Sequence, residues 1–356
     1  MKFIRNDLAS ISAILIIMLV IVISMSQPAR LGYSMTSLTK DIAIFTIVGL
    51  AQMATLAVGQ FNLAVGAIGG VTGMICGYLI NMPTTGDMSV EKYVQAEVGL
   101  AWPWIAGLLV AMLVGLILGF IQGGIIVKTK INPFIVSLAL ISIFHGVNMA
   151  VTQNMYFRKL PEAFIGLNTS TFPATPTPDK FGFPIAFFIA LAVMLIMWVI
   201  YNRTATGRRM LATGVSKRSA DFAGISSNKY ILVAHCISGM LCAIAGALTA
   251  SKLAAAQVSI GENWLLYSFA APILGGTLLS GGKVSIVGTM IGAGIMTVIV
   301  TVLALLKLDT FTHQIFIGGI LLLTFMLNMA REALGKRQDK VLVEVHDTAV
   351  ESGGDK

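Results

Sequence analysis

Residues 276–284 read Gly-Thr-Leu-Leu-Ser-Gly-Gly-Lys-Val, the stretch of this chain nearest to a phosphate-binding loop. Such a loop needs Gly, four residues, then Gly-Lys-Ser/Thr. Here Thr277 stands where the first Gly belongs, and Val284 replaces the hydroxyl that would hold magnesium. The segment reads as a glycine turn, and no nucleotide site is expected. Other reactive groups are sparse. Cys76, Cys236 and Cys242 lie in apolar runs and are odd in number, so neither a disulfide framework nor a paired metal-ligand spacing follows. His145 and His235 are the titratable candidates besides those thiols within apolar stretches. A lone His on an apolar helix is more often a hydrogen-bonded packing residue than a ligand. There is no His-Glu-x-x-His, no spaced Ser/His/Asp set and no carboxylate pair. No catalytic residue, metal site or cofactor of its own is therefore expected of this chain.

The elements that would carry these residues follow from composition. Of 356 residues, 56% are hydrophobic and 11% charged, against about 25% charged in soluble domains; mean hydropathy is +0.86. That excludes a soluble enzyme, a nucleic-acid binder and a disordered chain. A helix crosses a bilayer with about 20 apolar residues. Ten segments qualify: 8–25, 42–58, 63–80, 104–127, 131–151, 183–201, 231–251, 264–280, 284–306 and 312–330. None of the 24 Lys/Arg or 16 Asp/Glu falls inside them, as expected where a midplane charge costs several kcal/mol. The segments at 42–58 and 264–280 are short and glycine-flanked, so each is either a straight span or a broken one. With the N-terminus inside, the inner connections carry the whole net charge of +8 and Lys/Arg divide 16 inside to 8 outside. The positive-inside rule then makes both termini cytoplasmic. The first segment follows Lys2 and Arg5 like a signal peptide, but it ends at Gln27-Pro28-Ala29-Arg30 without a small-x-small site, so an uncleaved helix is expected.

The fold class expected is all-α and polytopic, with a permease-like membrane domain over 1–330 and a flexible cytoplasmic tail over 331–356. The connection 152–182, with Pro161, Pro173, Pro176 and Pro178, reads as an exposed outer loop. Glycines at four-residue spacing, as in Gly69/Gly73/Gly77, Gly115/Gly119/Gly123 and Gly288/Gly292, predict close helix packing in lipid. A weak repeat at an offset of 222 pairs Thr55, Leu56, Gly59, Val65, Gly66, Gly70 and Met74 with Thr277, Leu278, Gly281, Val287, Gly288, Gly292 and Met296. It points to a parallel duplication, a transporter habit, unless glycine-rich helices align by chance. The inner connection 202–230 is the longest on its face between two spans. Ser216 is a good N-cap and Gly224 a good terminator, so a helix of about two turns is expected there, with Lys217, Arg218 and Asp221 exposed. It suits a cytoplasmic partner or serves only as a positive-inside loop.

Thr206-Gly207-Arg208-Arg209, Ala212-Thr213-Gly214, Ala220 and Gly224-Ile225 resemble the cytoplasmic loop of ribose-type sugar permeases of ABC importers. Three further segments are similar to that family: Pro133-Phe134-Ile135-Val136-Ser137-Leu138, the glycine motif from Ala270 through Gly275, Gly276, Gly281 and Gly282 to Thr289, and Gly59-Gln60-Phe61-Asn62-Leu63-Ala64-Val65-Gly66. The chain departs from the family pattern at Asn62, usually acidic, at Ala64, usually Ser, at Leu265-Leu266-Tyr267, often Glu-Leu-Asp, and at Ser216-Lys217-Arg218-Ser219-Ala220, where the family loop starts Asn-Pro-Glu-Ala-Ala. The resemblance implies a membrane subunit of an importer for a monosaccharide or similar small polar solute in the cell inner membrane. It implies a second permease copy, cytoplasmic ATPase subunits that bind ATP and magnesium, and an extracytoplasmic solute-binding protein, with no nucleic acid. Arg208, Arg209, Gly214, Ser216, Lys217, Arg218, Ala220, Asp221 and Gly224 would form the ATPase-coupling loop, with Ala220 and Gly224 small enough to let the partner approach. Gly59, Gln60, Asn62, Gly275, Gly276, Gly281 and Gly282 are pathway or turn candidates. Nucleoside or branched-chain amino acid import by the same engine, an ion-coupled carrier working alone and a structural membrane scaffold are the alternatives.

Overall fold

The computed structural model describes residues 31–82, 99–172, 182–305, 315–319, 322 and 326. The described chain is helical apart from turns and a two-residue antiparallel pair, β1 (Thr171–Phe172) and β2 (Phe183–Pro184). The helices are α1 (Leu31–Leu56), α2 (Val65–Ile80), α3 (Trp104–Thr129), α4 (Pro133–Thr152), α5 (Glu162–Thr169), α6 (Ile185–Arg203), α7 (Ala205–Val215), α8 (Lys217–Phe222), α9 (Ser227–Leu253), α10 (Trp264–Leu274) and α11 (Ile286–Leu305). Six of them, α1, α3, α4, α6, α9 and α11, are long and apolar enough to cross a membrane, and α2 and α10 are shorter apolar helices. The expected span 8–25 and the tail 331–356 lie outside the described residues. Of 312–330, residues 315–319, 322 and 326 are described, and they are helical.

The packing is that of a protein whose solvent is lipid. Large apolar side chains point outward, among them Leu109, Leu113 and Phe120 on α3, Ile135 and Leu138 on α4, and Leu195 and Ile196 on α6. Small residues lie at the contacts between helices. A Cβ at Gly115 or Gly119 on α3 would overlap the Gly239 or His235 carbonyl of α9, and one at Gly73 of α2 would come within 3.1 Å of the Gly246 carbonyl. Lipid gives apolar faces little reason to associate, so close backbone approach supplies the packing energy.

The two doubtful spans resolve differently. The segment 42–58 is the second part of α1, an unbroken helix that starts at Leu31 and includes Lys40 and Asp41. The segment 42–58 itself carries no charge, and in the part of the helix before it Asp41 is neutralised by an ion pair with Lys252 in the last turn of α9. The segment 264–280 is broken. Its helix stops at Leu274, and 11 residues rise only about 16 Å, half of a hydrocarbon core of about 30 Å. The connection 152–182 is also not wholly a loop. Its α5 buries Phe164 and Leu167, Asn168 donates to the Leu248 carbonyl and Ser251 Oγ of α9, and Phe157 pairs with Ala256 through the backbone.

Candidate functional site

Three glycine turns define the region that the sequence motifs mark. At the end of α1, Gln60 N–H donates to the Thr55 carbonyl at 3.0 Å and Gly59 N–H to the Leu56 carbonyl at 2.9 Å. This pair of bonds closes a helix with a left-handed residue at its end, and Gly59 takes φ +67 there. The end of α10 repeats it, with Thr277 N–H donating to the Pro272 carbonyl, Gly276 N–H to the Ile273 carbonyl, and Gly276 at φ +88. Two helix ends, each followed by a turn and a helix, are thus alike, but the structure matches Gly59 to Gly276 where the sequence repeat pairs it with Gly281. The repeat's residue pairing holds only in part. Thr55 is still helical, whereas Thr277 lies past the end of α10 and accepts from Ser285 N–H.

The 276–284 stretch folds back on itself. Leu278 N–H donates to the Lys283 carbonyl, Gly281 N–H to the Leu278 carbonyl and Gly282 N–H to the Ala57 carbonyl at 3.2 Å. These amides are engaged by the chain's own oxygens. Gly275 lies against Gly288 with no room for a Cβ.

The connection 202–230, expected on the inner side, holds two helices where one was expected. Thr204 caps α7 by accepting from Gly207 N–H, and Ser216 caps α8 by accepting from Ser219 N–H at 3.2 Å. Gly224 ends α8 with the bond pair seen at Gly59, Ile225 N–H to the Ala220 carbonyl and Gly224 N–H to the Asp221 carbonyl. Arg209 donates to Tyr230 Oη at 3.0 Å, and Asp221 Oδ1 accepts from Ser227 N–H at 2.9 Å, tying the connection to the start of α9. Arg208, Lys217 and Arg218 are exposed. Ala220 is not open to a partner in the way its small size suggested. It is 4% exposed and faces the chain itself. The outward apolar residues are Val215 and Phe222, exposed at 75% and 81%, with the Arg218 guanidinium 5.7 Å from the Phe222 ring centre. Sequence reasoning missed both, although an exposed Phe beside two cations in a short helix is the composition that would have flagged them.

The three segments meet backbone to backbone. A Cβ at Gly214, in α7, would overlap the Ala57 carbonyl and the Gly282 amide, and one at Gly281 would lie 2.7 Å from Gly59 N and 3.0 Å from the Gly214 carbonyl. The connection 202–230 therefore rests directly on both turns. Asn62 stands behind this junction, fully buried. Its Oδ1 accepts from Ala64 N–H and from Gln122 Nε2, each at 3.0 Å, and its Nδ2 donates to Ser238 Oγ at 3.0 Å. It links the start of α2 to α3 and α9 through side-chain bonds. Gln60 donates to the Gly59 carbonyl, and its Oε1 is buried without a partner among the described residues. His235 corrects the expectation of a hydrogen-bonded packing residue. It is fully buried on α9, and neither ring nitrogen has a partner among the described residues. Cys76, Cys236 and Cys242 are free thiols.

Comparison with known proteins identifies the family of the sequence. The sequence profile of the family described as branched-chain amino acid transport system / permease component matches residues 34–325. The ribose import permease protein of Haemophilus influenzae is 27% identical over 89% of this chain and 91% of its own length. The D-allose transport system permease protein of Escherichia coli is 28% identical over 83% of each. The autoinducer 2 import system permease protein of Yersinia pestis is 27% identical over 91% of this chain and 85% of its own. No solved structure matches the chain.

Proposed function

The chain belongs to the branched-chain amino acid transport system / permease component family, and on that premise we propose that it is the membrane-spanning permease subunit of an ABC importer for a monosaccharide or similar small polar solute. The observation that carries the reading is the near full-length similarity to permeases named for ribose and allose import. It favours a sugar over the amino acids of the family's description, and an importer subunit over a solitary carrier. The protein is multi-pass, crosses the cell inner membrane ten times and keeps both termini in the cytoplasm. The inner connections then hold the excess of Lys and Arg.

Two copies form the pathway, an extracytoplasmic binding protein delivers the solute, and two cytoplasmic ATPases bind ATP and drive alternating access. The connection from Arg203 to Tyr230 is the mechanical contact. Its outward face presents Val215, Arg218 and Phe222, an aromatic and cationic knob of the kind enriched at interface anchors. The backbone contacts of Gly214 with Ala57 and Gly282 support its role in transmission. With no side chain between these segments, a displacement of the connection reaches the ends of α1 and α10 without being absorbed by rotamer changes.

The test is uptake of radiolabelled D-ribose, D-allose and D-fructose by membranes holding the chain with and without a partner ATPase subunit. Uptake of at least one sugar, lost when the ATPase is absent, is expected. Uptake of leucine but no sugar overturns the solute assignment, and uptake by the chain alone overturns the importer.

A further inference from the structure

A cleft of ≈ 290 Å³ opens between α2, α4, the 258–262 turn and the start of α10, away from the glycine junction. Its size falls just below the range of drug-sized ligand sites, about 300–1,000 Å³. Its floor is the α2 face bearing Gly66, Ala67 and Gly70. A Cβ at Gly66 would overlap the Gly261 carbonyl, and one at Gly70 would lie 2.6 Å from the Ile260 carbonyl. The 258–262 turn is therefore held on α2 by backbone contact, and the cleft is formed in advance.

Three polar side chains line it: His145 and Asn148, one turn apart on α4, and Glu262. Asn148 is only 5% exposed, and its amide has no hydrogen-bond partner among the described residues. The amide lines the cleft and is open to a partner there. The remaining wall is apolar, with Ile141 and Leu265 among its members. The set offers a two-way amide, an imidazole that both donates and accepts, and a carboxylate acceptor. That matches a small neutral polyol, whose hydroxyls donate and accept and whose C–H faces are apolar. It does not match an anion, which Glu262 would repel, nor an apolar ligand, which would leave Asn148 unpaired.

We infer that this cleft is a solute subsite of the permease itself, in which Asn148, His145 and Glu262 bind the hydroxyls of a monosaccharide-sized polyol. The inference rests on the sugar-permease reading and adds a binding step within this chain.

The experiment places a thiol in the floor as Ala67→Cys and follows its modification by a membrane-impermeant methanethiosulfonate reagent in vesicles, with the rate of the unmodified chain subtracted. D-Ribose, D-allose and D-fructose at saturating concentration are the probes, and uptake of the same sugars is measured in parallel. The transported sugar is expected to slow modification at least fivefold. That protection should vanish when Asn148→Leu, of similar volume, is added, while the unprotected rate stays within twofold, which reports an intact cleft. Unslowed modification by sugars that are nonetheless taken up overturns the subsite and leaves the permease reading standing. Protection that persists unchanged in Asn148→Leu overturns the assigned contacts. Absence of both uptake and protection overturns the two readings together.

Discussion

Single residues decide what the connection 202–230 can offer a partner. Ala220 looks available in the sequence because it is small and lies in a short polar helix, yet it points into the protein, while Phe222 two positions on is 81% exposed. A helix of six residues has too few turns for a pattern to show which side is covered, so only the docking of α8 beside α9 settles it. The consequences separate experimentally. Phe222→Ala should leave folding and membrane level unchanged, because the ring is 81% exposed and its one aromatic-face neighbour is the exposed Arg218 guanidinium. It should weaken ATPase binding by about 2 kcal/mol, roughly thirtyfold, as loss of an aromatic anchor does. Pull-down of the ATPase across a concentration series reads this. Ala220→Trp should instead lower the amount of folded protein, because the indole has no space inside. Wild-type ATPase affinity in Phe222→Ala would assign the contact to another surface. Asn62 illustrates the opposite case, in which a departure from the family pattern is internally consistent. The amide supplies one acceptor atom to two donors and one donor to Ser238, a set that requires no buried charge.

At the level of elements, glycine spacing was the most informative text in the sequence. The stripe Gly115/Gly119/Gly123 on α3 lies against α9, with backbone as the opposing surface at Gly115 and Gly119. Gly124 is on the same helix with open space beside it. Gly119→Leu should therefore reduce the folded, monodisperse fraction severely, since an isobutyl group would meet the His235 carbonyl. Gly124→Leu should be neutral or slightly stabilising, because Gly costs about 0.8–1.0 kcal/mol in a helix interior. Size-exclusion profiles of the detergent-solubilised variants distinguish them. The two helix ends at Gly59 and Gly276 show where element reading stops. Apolar runs mark where chain is buried and do not mark where helix ends. The segment 264–280 carries no charge, yet its helix closes at Leu274 because Pro272 and the Gly275-Gly276 pair favour an early end.

For the whole molecule, the charge tally makes a topological prediction that the packing of helices does not itself contain. Lys217 and Ala163 should lie on opposite sides of the membrane. Lys217→Cys and Ala163→Cys, each in a cysteine-free background, should react with impermeant maleimide from the cytoplasmic and the outer side respectively. Labelling of both from one side would overturn the span count. The sequence by itself determined the solvent of this protein, because 11% charged residues cannot cover a water-facing surface. It also determined most helix positions, because apolar length is set by bilayer thickness, and the glycine faces on which helices meet. It placed the cap at Ser216 and the stop at Gly224, both local backbone preferences. Tertiary structure alone decided that Asp41 finds Lys252, that Gly59, Gly214 and Gly281 converge, and that His145, Asn148 and Glu262 line one cleft. Those residues stand far apart along the chain, so no local preference links them. Their meeting follows from which helices approach closely enough to bring backbone against backbone.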